Sequence, residues 1–460
     1  MNGVNPRDLG RALLVAGAVG LPASLAAVAL LAASHELTTL LWTDLPKRAG
    51  FSGSAWWYVL AIPTVGGVLA GLAVRKLPGH GGHEPIKGFS PSPVQPDAIL
   101  GVVLAALATL AFGAVLGPEA PLIALGSALG LWFAKIFKLT GKLAPLAGAA
   151  GLFAAVGALF GNPLLAAFLI LEVLGMTAST APMAAVVIPG MLASALGYLV
   201  FVGVDNWTGI TADGLTPISL PNYPTVKLID LVWAVVIGLI MAVLVAAVRR
   251  IGQRVHTVAT ARPVILAPAA GLAVGVLAVA FTQITHQAPS LVLFSGEADT
   301  GTVVSQGAAW GLGTLVILLL LKSIAYAVSL GSLFRGGPVF PSLFLGVVAG
   351  MLFTHLGVHL TSTPAVVAGM AAACAAMLRL PLSSVMLAVF LTSSAGLEAT
   401  SIALLASVAG FLASVVIDKR TAAGQEGQEG QEGQEGQGDQ SAPGSPEPAA
   451  GPPAVGGAPA

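Results

Sequence analysis

Two segments of the chain share an unusual frame in which a Gly-Pro start is followed by a second proline three residues later. They are Gly117-Pro118-Glu119-Ala120-Pro121 and Gly337-Pro338-Val339-Phe340-Pro341. Proline fits the first turn of a helix, where N–H groups have no intrahelical partner, so each frame predicts a helix start. Unpaired amides and the positive end of the helix dipole attract anions. Two such starts aimed at one buried point would form an anion site.

Glu119, which only the first frame carries, is the residue that we expect to gate this site. A carboxylate inside an apolar segment costs about 2.5 to 3.5 kcal/mol on insertion scales and is usually functional or paired. At a helix start, the amides of Glu119 and Ala120 would offset that cost. The ionised carboxylate would occupy the anion site, and the protonated one would leave it. The alternative is an ordinary capping acid on a loop.

The composition is that of a polytopic membrane protein. Hydrophobic residues make up 56% of the 460 residues, charged residues only 9%, and the mean hydropathy is +0.90. Apolar segments recur, among them 119–137, 304–330 and 340–358, and several are shorter than the roughly 20 residues that span a bilayer. Short segments broken by Gly and Pro are typical of transporters and channels, in which backbone lines a cavity. We therefore predict an all-α polytopic membrane protein with short, broken helices.

The spacing downstream of the two frames indicates that the chain contains an internal duplication. Both frames are followed by a matching glycine, then by a second glycine 12 residues before a proline that opens another apolar run. The matched pairs are Gly126 with Gly346, Gly151 with Gly369, and Pro163 with Pro381. We predict a membrane transport domain over 1–420, with repeat halves of about 1–210 and 220–420 in inverted orientation. Residues 421–460, rich first in Gly, Gln and Glu and then in Pro and Ala, predict a disordered tail.

These motifs, in this order and spacing, resemble the CLC family of chloride channels and chloride/proton antiporters. The family's gating glutamate lies in a Gly-Arg-Glu-Gly-Pro frame, which 117–121 matches at Gly, Glu and Pro. A second family frame, Gly-x-Phe-x-Pro, is matched by 337–341 at Gly and Pro, with Val339 at the Phe position. The stretch 160–164, followed by Glu172, is similar to the family's Asn-Ala-Pro-Leu helix, which ends in an acidic pair. The resemblance spans most of residues 70–420.

The resemblance implies an inverted-repeat CLC-type fold, with Glu119 as the gate at the outer end of the site. It implies a homodimer with a separate anion pathway in each subunit, in the plasma membrane of a prokaryotic cell. Chloride or a similar small monovalent anion would be the transported ligand, with no metal and no other cofactor. The backbone amides expected to bind it are those of Gly81, Gly82, Glu119, Ala120, Val339 and Phe340.

The chain departs from the family at the loop that normally supplies a serine hydroxyl to the central anion. Gly81 stands where that serine would be, so we expect a wider site that holds the ion by amides rather than by a buried Lys or Arg. The family's central Tyr near the end of the fold has no counterpart, since the four Tyr are at 58, 198, 223 and 326. Selectivity among chloride, nitrate and other monovalent anions therefore stays open.

The position of the family's internal proton acid is occupied by Val173. Antiporters of the family carry an acid there, several family channels have Val, and Val cannot bind a proton. The sequence therefore favours passive, channel-like conduction gated by Glu119. Proton-coupled chloride exchange is the alternative, because some family transporters lack this acid. Glu172 beside it is interpreted as structural, with its carboxylate accepting backbone amides between helices.

Other candidate residues carry weaker signals. His80 and His83 suggest a metal site, but the surrounding Gly and Pro favour a loop without one. Glu297 and Asp299 lie in a polar turn that would shape the entrance. Lys322 interrupts an apolar run and either snorkels to the membrane surface or makes the vestibule electropositive. A membrane-embedded enzyme is a remote alternative, since the chain has no recognisable catalytic motif.

Overall fold

The computed structural model describes residues 6–88, 93–176, 183–208 and 217–438. In these ranges the chain forms sixteen α-helices, and its β-structure is limited to one isolated pairing. The first eight helices are α1 (Pro6–Thr39), α2 (Leu45–Ala49), α3 (Trp56–Lys76), α4 (Ile99–Leu110), α5 (Glu119–Ile136), α6 (Leu143–Phe160), α7 (Pro163–Met176) and α8 (Met183–Thr208). The remaining eight are α9 (Leu228–Ala261), α10 (Pro263–Thr285), α11 (Thr300–Gln306), α12 (Leu312–Gly331), α13 (Val339–Thr354), α14 (Ser362–Leu378), α15 (Pro381–Leu391) and α16 (Ala399–Gly438).

Nine helical segments of the described residues are long and apolar enough to cross a membrane. Five further apolar helices are shorter, and these include α7, α13, α14 and α15. The prediction of an all-helical chain with short, broken apolar helices is therefore confirmed. Because helices of this length do not each need to span a bilayer, their ends can lie inside the protein.

The predicted duplication has a direct counterpart in helix packing. In the first half α5 packs on α6, and in the second half α13 packs on α14. The two contacts use the matched glycines: Gly126 faces Gly151, and Gly346 faces Gly369. A Cβ on any of the four would run into the backbone carbonyl of its partner. Small residues at these crossings allow the helix backbones to approach closely, as in other membrane proteins.

The next helix start in each half is capped in a different way. In the first half Asn162 Oδ1 accepts the amides of Leu164 and Leu165, at 2.9 and 3.2 Å, and so caps α7. Leu380 holds the equivalent position before α15 and has no such acceptor. Instead Glu172, on α7, reaches across to the start of α15.

Contacts divide the chain into one unit that ends at Ser414 and a second that begins at Val415. Helix α16 continues to Gly438, so it includes the first part of the Gly/Gln/Glu-rich segment. Residues 439–460 lie outside the described ranges. The disorder of the tail stays a prediction.

Candidate functional site

The two Gly-Pro frames meet directly. Gly117 N donates to Gly337 O at 2.8 Å, and Gly337 N donates to Gly117 O at 2.6 Å, which forms an isolated antiparallel pairing. Helices α5 and α13 begin two residues later, each after a proline at the N-cap. The paired backbone fixes the two helix starts beside each other, as an anion site built from both helix starts would require.

Each helix start presents the same small set of amides. Pro118 and Pro338 are the N-caps, and Pro121 and Pro341 occupy the third helical position. Because proline has no N–H, only the first two residues of each helix have amides outside the helical hydrogen-bond pattern. These residues are Glu119 and Ala120 in α5, and Val339 and Phe340 in α13. All four are buried, with at most 8% of their surface exposed.

The carboxylate of Glu119 already binds the opposing helix start. Phe340 N donates to Glu119 Oε1 at 2.8 Å, and the amides of Val339 and Glu119 also face this carboxylate. Its side chain is 0% exposed. Oε2 lies where a Cβ of Gly117 or Gly337 would be, so only glycine fits at both positions. A carboxylate of the first half thus accepts an amide at a helix start of the second half.

Gly81 lies in a short turn before α4 but does not leave a wider space. Its φ of +74° is one that glycine adopts most easily. An added Cβ would lie 3.0 Å from each of Val74 Cγ2, Ala105 Cβ and Arg335 Cγ. The expectation of a widened site is therefore wrong, because neighbouring side chains fill the space. The amide of Gly82 donates to Gly79 O at 2.8 Å and is already used within the turn.

Arg335 is a buried cation that sequence reasoning missed. It precedes the second frame by two residues and is 4% exposed. That amides rather than a buried Lys or Arg hold the ion stays a prediction. A basic residue directly before Gly336-Gly337 was the only signal in the sequence, and nothing local indicates that its side chain packs beside Gly81.

Tyr326 was also missed, because the resemblance directed attention to the end of the fold. It lies in α12, is 0% exposed, and donates from its hydroxyl to Pro338 O at 2.9 Å. Ser342 Oγ donates to the same carbonyl. The C=O of Pro338 and the N–H of Val339 belong to one planar peptide group and point in opposite directions. Two hydroxyls that hold the carbonyl thus fix the direction of the Val339 amide.

A cavity of about 500 Å³ is lined by residues of both frames and of the polar turn that contains Glu297 and Asp299. Pro118 and Phe340 represent the two frames in this lining. Burial raises the pKa of Asp299, although the charge of Lys322 opposes this shift. The polar turn and the two frames thus line one cavity, and the role of the turn as an entrance stays a prediction.

Lys322 is buried, which contradicts one of the two hypotheses made for it and leaves the electropositive vestibule a prediction. Its side chain is 0% exposed, so it does not snorkel. Nζ donates to Leu293 O at 2.6 Å and to Phe294 O at 2.9 Å, and lies 4.9 Å from the centre of the Phe344 ring. Lys322, on α12, therefore links residues 293–294, which precede the polar turn, to α12 and contacts α13 through Phe344.

Val173 and Glu172 lie on α7. Val173 is 5% exposed. Glu172 Oε1 accepts Leu382 N at 2.9 Å, and Oε2 accepts Ser383 N at 2.7 Å and Ser383 Oγ at 2.5 Å. This geometry is the inter-helix capping that we expected of Glu172.

His80 and His83 do not converge on a common point. His80 Nδ1 lies 3.1 Å from Val74 O, whereas His83 Nε2 lies 2.9 Å from Gly88 O. Within the described part of the chain, no group of three or more His, Cys, Asp or Glu residues could hold a metal ion.

Comparison with known proteins identifies the family to which this chain belongs. A family model described as voltage gated chloride channel matches residues 66–417. The chain therefore belongs to the CLC family, as its motifs indicated. Membership makes it an integral membrane protein of a family of anion transporters and channels, not enzymes.

Two bacterial proteins are similar to this chain over most of its length. YfeO of Escherichia fergusonii, named as a candidate ion-transport protein, is 27% identical over 361 residues, which cover 77% of this chain and 81% of YfeO. YfeO of Salmonella choleraesuis is also 27% identical, over 356 residues, which cover 76% of this chain and 81% of that protein.

Three solved structures share the fold. A slow cyanobacterial Cl−/H+ antiporter has a TM-score of 0.70 at 19% identity, covering 92% of this chain and all of that chain. A CLC-type fluoride/proton antiporter has a TM-score of 0.62 at 16% identity, covering 90% and 97%. A eukaryotic CLC transporter has a TM-score of 0.63 at 18% identity, covering 88% and 72%. The predicted CLC-type inverted-repeat fold is thus confirmed.

Proposed function

We propose that this CLC protein carries a small monovalent anion such as chloride, and that Glu119 gates the pathway by competing with the anion for the amides of α13. The observation that carries the proposal is the 2.8 Å hydrogen bond from Phe340 N to a fully buried Glu119 carboxylate. A carboxylate bound to a helix start occupies the place that a free anion would take. Protonation would remove its charge and release the amides to the transported anion.

We further infer that anion movement is coupled to protons. Two of the solved structures that share the fold are described as a Cl−/H+ antiporter and a fluoride/proton antiporter. A gate that is itself an acid can bind a proton each time it leaves the amides, which provides one half of a coupling mechanism. This support favours exchange over the passive conduction that the sequence had favoured.

Passive conduction stays the second candidate because of Val173. This residue stands where the family's antiporters carry their internal proton acid, and it is buried and apolar. Exchange in this chain would need another route from the opposite side of the membrane to Glu119.

We also propose a homodimer in a prokaryotic plasma membrane. The bacterial relatives support the location, and the resemblance to CLC proteins supports the assembly. Chloride itself is proposed on the same resemblance, because the family model is described by that ion.

The deciding experiment is transport by the purified protein in liposomes under an imposed chloride gradient, with chloride and pH recorded together. Exchange predicts proton uptake in a fixed ratio to chloride exit. Glu119→Gln removes the charge and the proton site, so it should abolish proton movement and leave chloride flux. Chloride flux without proton movement in the wild type would instead establish passive conduction.

Glu172→Gln is the matched control, because Glu172 is also a carboxylate that accepts amides at a helix start of the second half. It should leave the ratio of protons to chloride unchanged. A wild-type protein that moves and binds none of chloride, bromide and nitrate would overturn the proposed function itself.

A further inference from the structure

The turn between α5 and α6 carries three lysines with no acid among them. Lys135 lies in the last turn of α5, Lys138 follows that helix, and Lys142 directly precedes α6. All three side chains are exposed, and none makes a salt bridge with a described residue. The sequence contains no Asp or Glu between Glu119 and Glu172. These three residues, the lysine turn, therefore concentrate positive charge that their own segment does not balance.

Apolar side chains are exposed directly beside the lysine turn. Trp132, Ile136 and Phe137 are each at least 51% exposed, and α5 is among the helices that are long and apolar enough to cross a membrane. Aromatic residues and lysines at the end of such a helix mark the boundary between lipid and water. The rings lie at the level of the headgroups there, and the ammonium groups reach toward the phosphates. The lysine turn therefore lies at a membrane surface.

A groove of about 490 Å³ opens beside Lys135. Leu131, Ala134 and Leu139 line it with apolar surface, and Asp97 contributes one negative charge to the lining. Three lysines against this one acid leave an excess of two positive charges around the groove. An apolar groove beside exposed ammonium groups is complementary to a phospholipid, which joins an anionic phosphate to apolar chains.

The second half of the chain builds the same helix pair without lysines. Helix α13 packs on α14 as α5 packs on α6, but the sequence has no Lys or Arg between Arg335 and Arg379. Packing of this helix pair therefore does not require the lysines. Because the two halves are inverted, their turns face opposite sides of the membrane. The positive-inside rule assigns the lysine turn to the cytoplasmic side.

We propose that the lysine turn and its groove bind an anionic phospholipid of the cytoplasmic leaflet. The phosphate lies against Lys135, Lys138 and Lys142, while the glycerol and the upper part of an acyl chain lie along Leu131 and Leu139. Juxtamembrane lysines attract anionic headgroups, and the apolar lining selects a lipid over a soluble anion. This site is separate from the two frames and does not depend on the proposed anion transport.

The test uses Trp132, one helical turn before Lys135, as a reporter of the bound lipid. The full-length protein is placed in phosphatidylcholine liposomes that contain increasing amounts of phosphatidylglycerol or phosphatidylcholine with brominated acyl chains, which quench tryptophan fluorescence. The difference between each protein and its Trp132→Phe version isolates the signal of this tryptophan. In the wild type, brominated phosphatidylglycerol should quench Trp132 with an apparent affinity roughly tenfold or more above that of brominated phosphatidylcholine.

The double variant Lys135→Gln/Lys138→Gln should lose this preference. Its matched control is Lys47→Gln/Arg48→Gln, which removes the same amount of charge from two exposed positions in the last turn of α2 and should keep the preference. Since the substituted lysines are exposed, the variants should keep the thermal midpoint of the wild type.

Equal quenching of wild-type Trp132 by the two brominated lipids would overturn the proposal, as would an unchanged preference in the Lys135→Gln/Lys138→Gln variant. Inorganic phosphate is added to the wild-type liposomes as a further arm. Displacement of the brominated phosphatidylglycerol by inorganic phosphate at unchanged ionic strength would show a site for a soluble anion instead. Resistance to inorganic phosphate, together with loss of the preference in the lysine variant alone, would support a lipid site.

Discussion

The carboxylate of Glu119 accepts hydrogen bonds from backbone amides that a free anion could accept equally well. Its carboxylate has no ion-pair partner among the described residues and depends on the amides at the start of α13. Such a helix start stabilises a negative charge by roughly 0.3 to 1 kcal/mol at an exposed site and up to about 2 kcal/mol when partly buried. A contact of this size can be exchanged for another anion, which suits a gate better than a buried salt bridge would.

The hydroxyl of Tyr326 should tune the affinity of these amides. Tyr326→Phe removes one of the two donors to Pro338 O and so loosens the peptide group that presents the Val339 amide. One net hydrogen bond is worth about 0.5 to 1.5 kcal/mol, so we expect chloride to bind roughly 3- to 10-fold more weakly. Calorimetric titration checks this value.

Tyr223→Phe is the matched control for Tyr326→Phe. Tyr223 is also buried, and its hydroxyl donates to Asp230 Oδ2 at 2.7 Å. Its loss should leave chloride affinity unchanged. Equal affinities of the wild type and Tyr326→Phe would show that Ser342 alone holds the carbonyl.

Residues that lie within one local pattern were predictable from the sequence, and residues that meet across the fold were not. Glu119 and the two frames follow from Gly, Pro and Glu at adjacent positions. Arg335 and Tyr326 act through contacts that no local pattern encodes: Arg335 reaches a carbonyl 255 residues away. The space beside Gly81 was misjudged for the same reason, because its filling depends on side chains from three separate segments.

At the scale of elements, helix starts were predicted better than helix ends and breaks. The segments 119–137 and 340–358 correspond to helices Glu119–Ile136 and Val339–Thr354, because proline marks their first turns. The run 304–330 was predicted as one segment but is split between α11 and α12. Gly307 ends the first piece and Gly311, in extended conformation, precedes the second. Apolar composition alone does not show such a break.

The capping of α15 by α7 should contribute stability rather than proton coupling. Glu172→Ala leaves the amides of Leu382 and Ser383 without their acceptor, and the loss of a helix cap costs about 0.5 to 2 kcal/mol. We therefore expect a lower thermal midpoint in detergent, with an unchanged proton-to-chloride ratio in liposomes. Asn162→Ala removes the corresponding cap of α7 and should have a cost of the same order.

A Glu172 variant that keeps its thermal midpoint but loses proton coupling would contradict this interpretation. It would mean that the acid next to Val173 relays protons in this chain. The Asn162 variant, which carries no titratable group, separates the two effects because it changes stability alone.

At the scale of the whole molecule, each chain contains all the residues of the proposed gate. The acid, both helix starts and the paired backbone between them all belong to one polypeptide, as the hydrogen bond from Phe340 N to Glu119 Oε1 shows. The proposed dimer therefore needs no residue of a second subunit to open or close a pathway. Each subunit should conduct independently of the state of its partner.

Mixed dimers of wild-type and Glu119→Gln subunits test this independence. Two differently tagged chains are co-expressed, the mixed species is purified through both tags in turn, and chloride and proton fluxes are measured in liposomes. Independent pathways predict fluxes equal to the mean of the two pure dimers, because one gate keeps its carboxylate while the other has lost it. Fluxes matching either pure dimer would show that one gate controls both pathways. Failure to recover any doubly tagged species would show that the chain does not form a dimer.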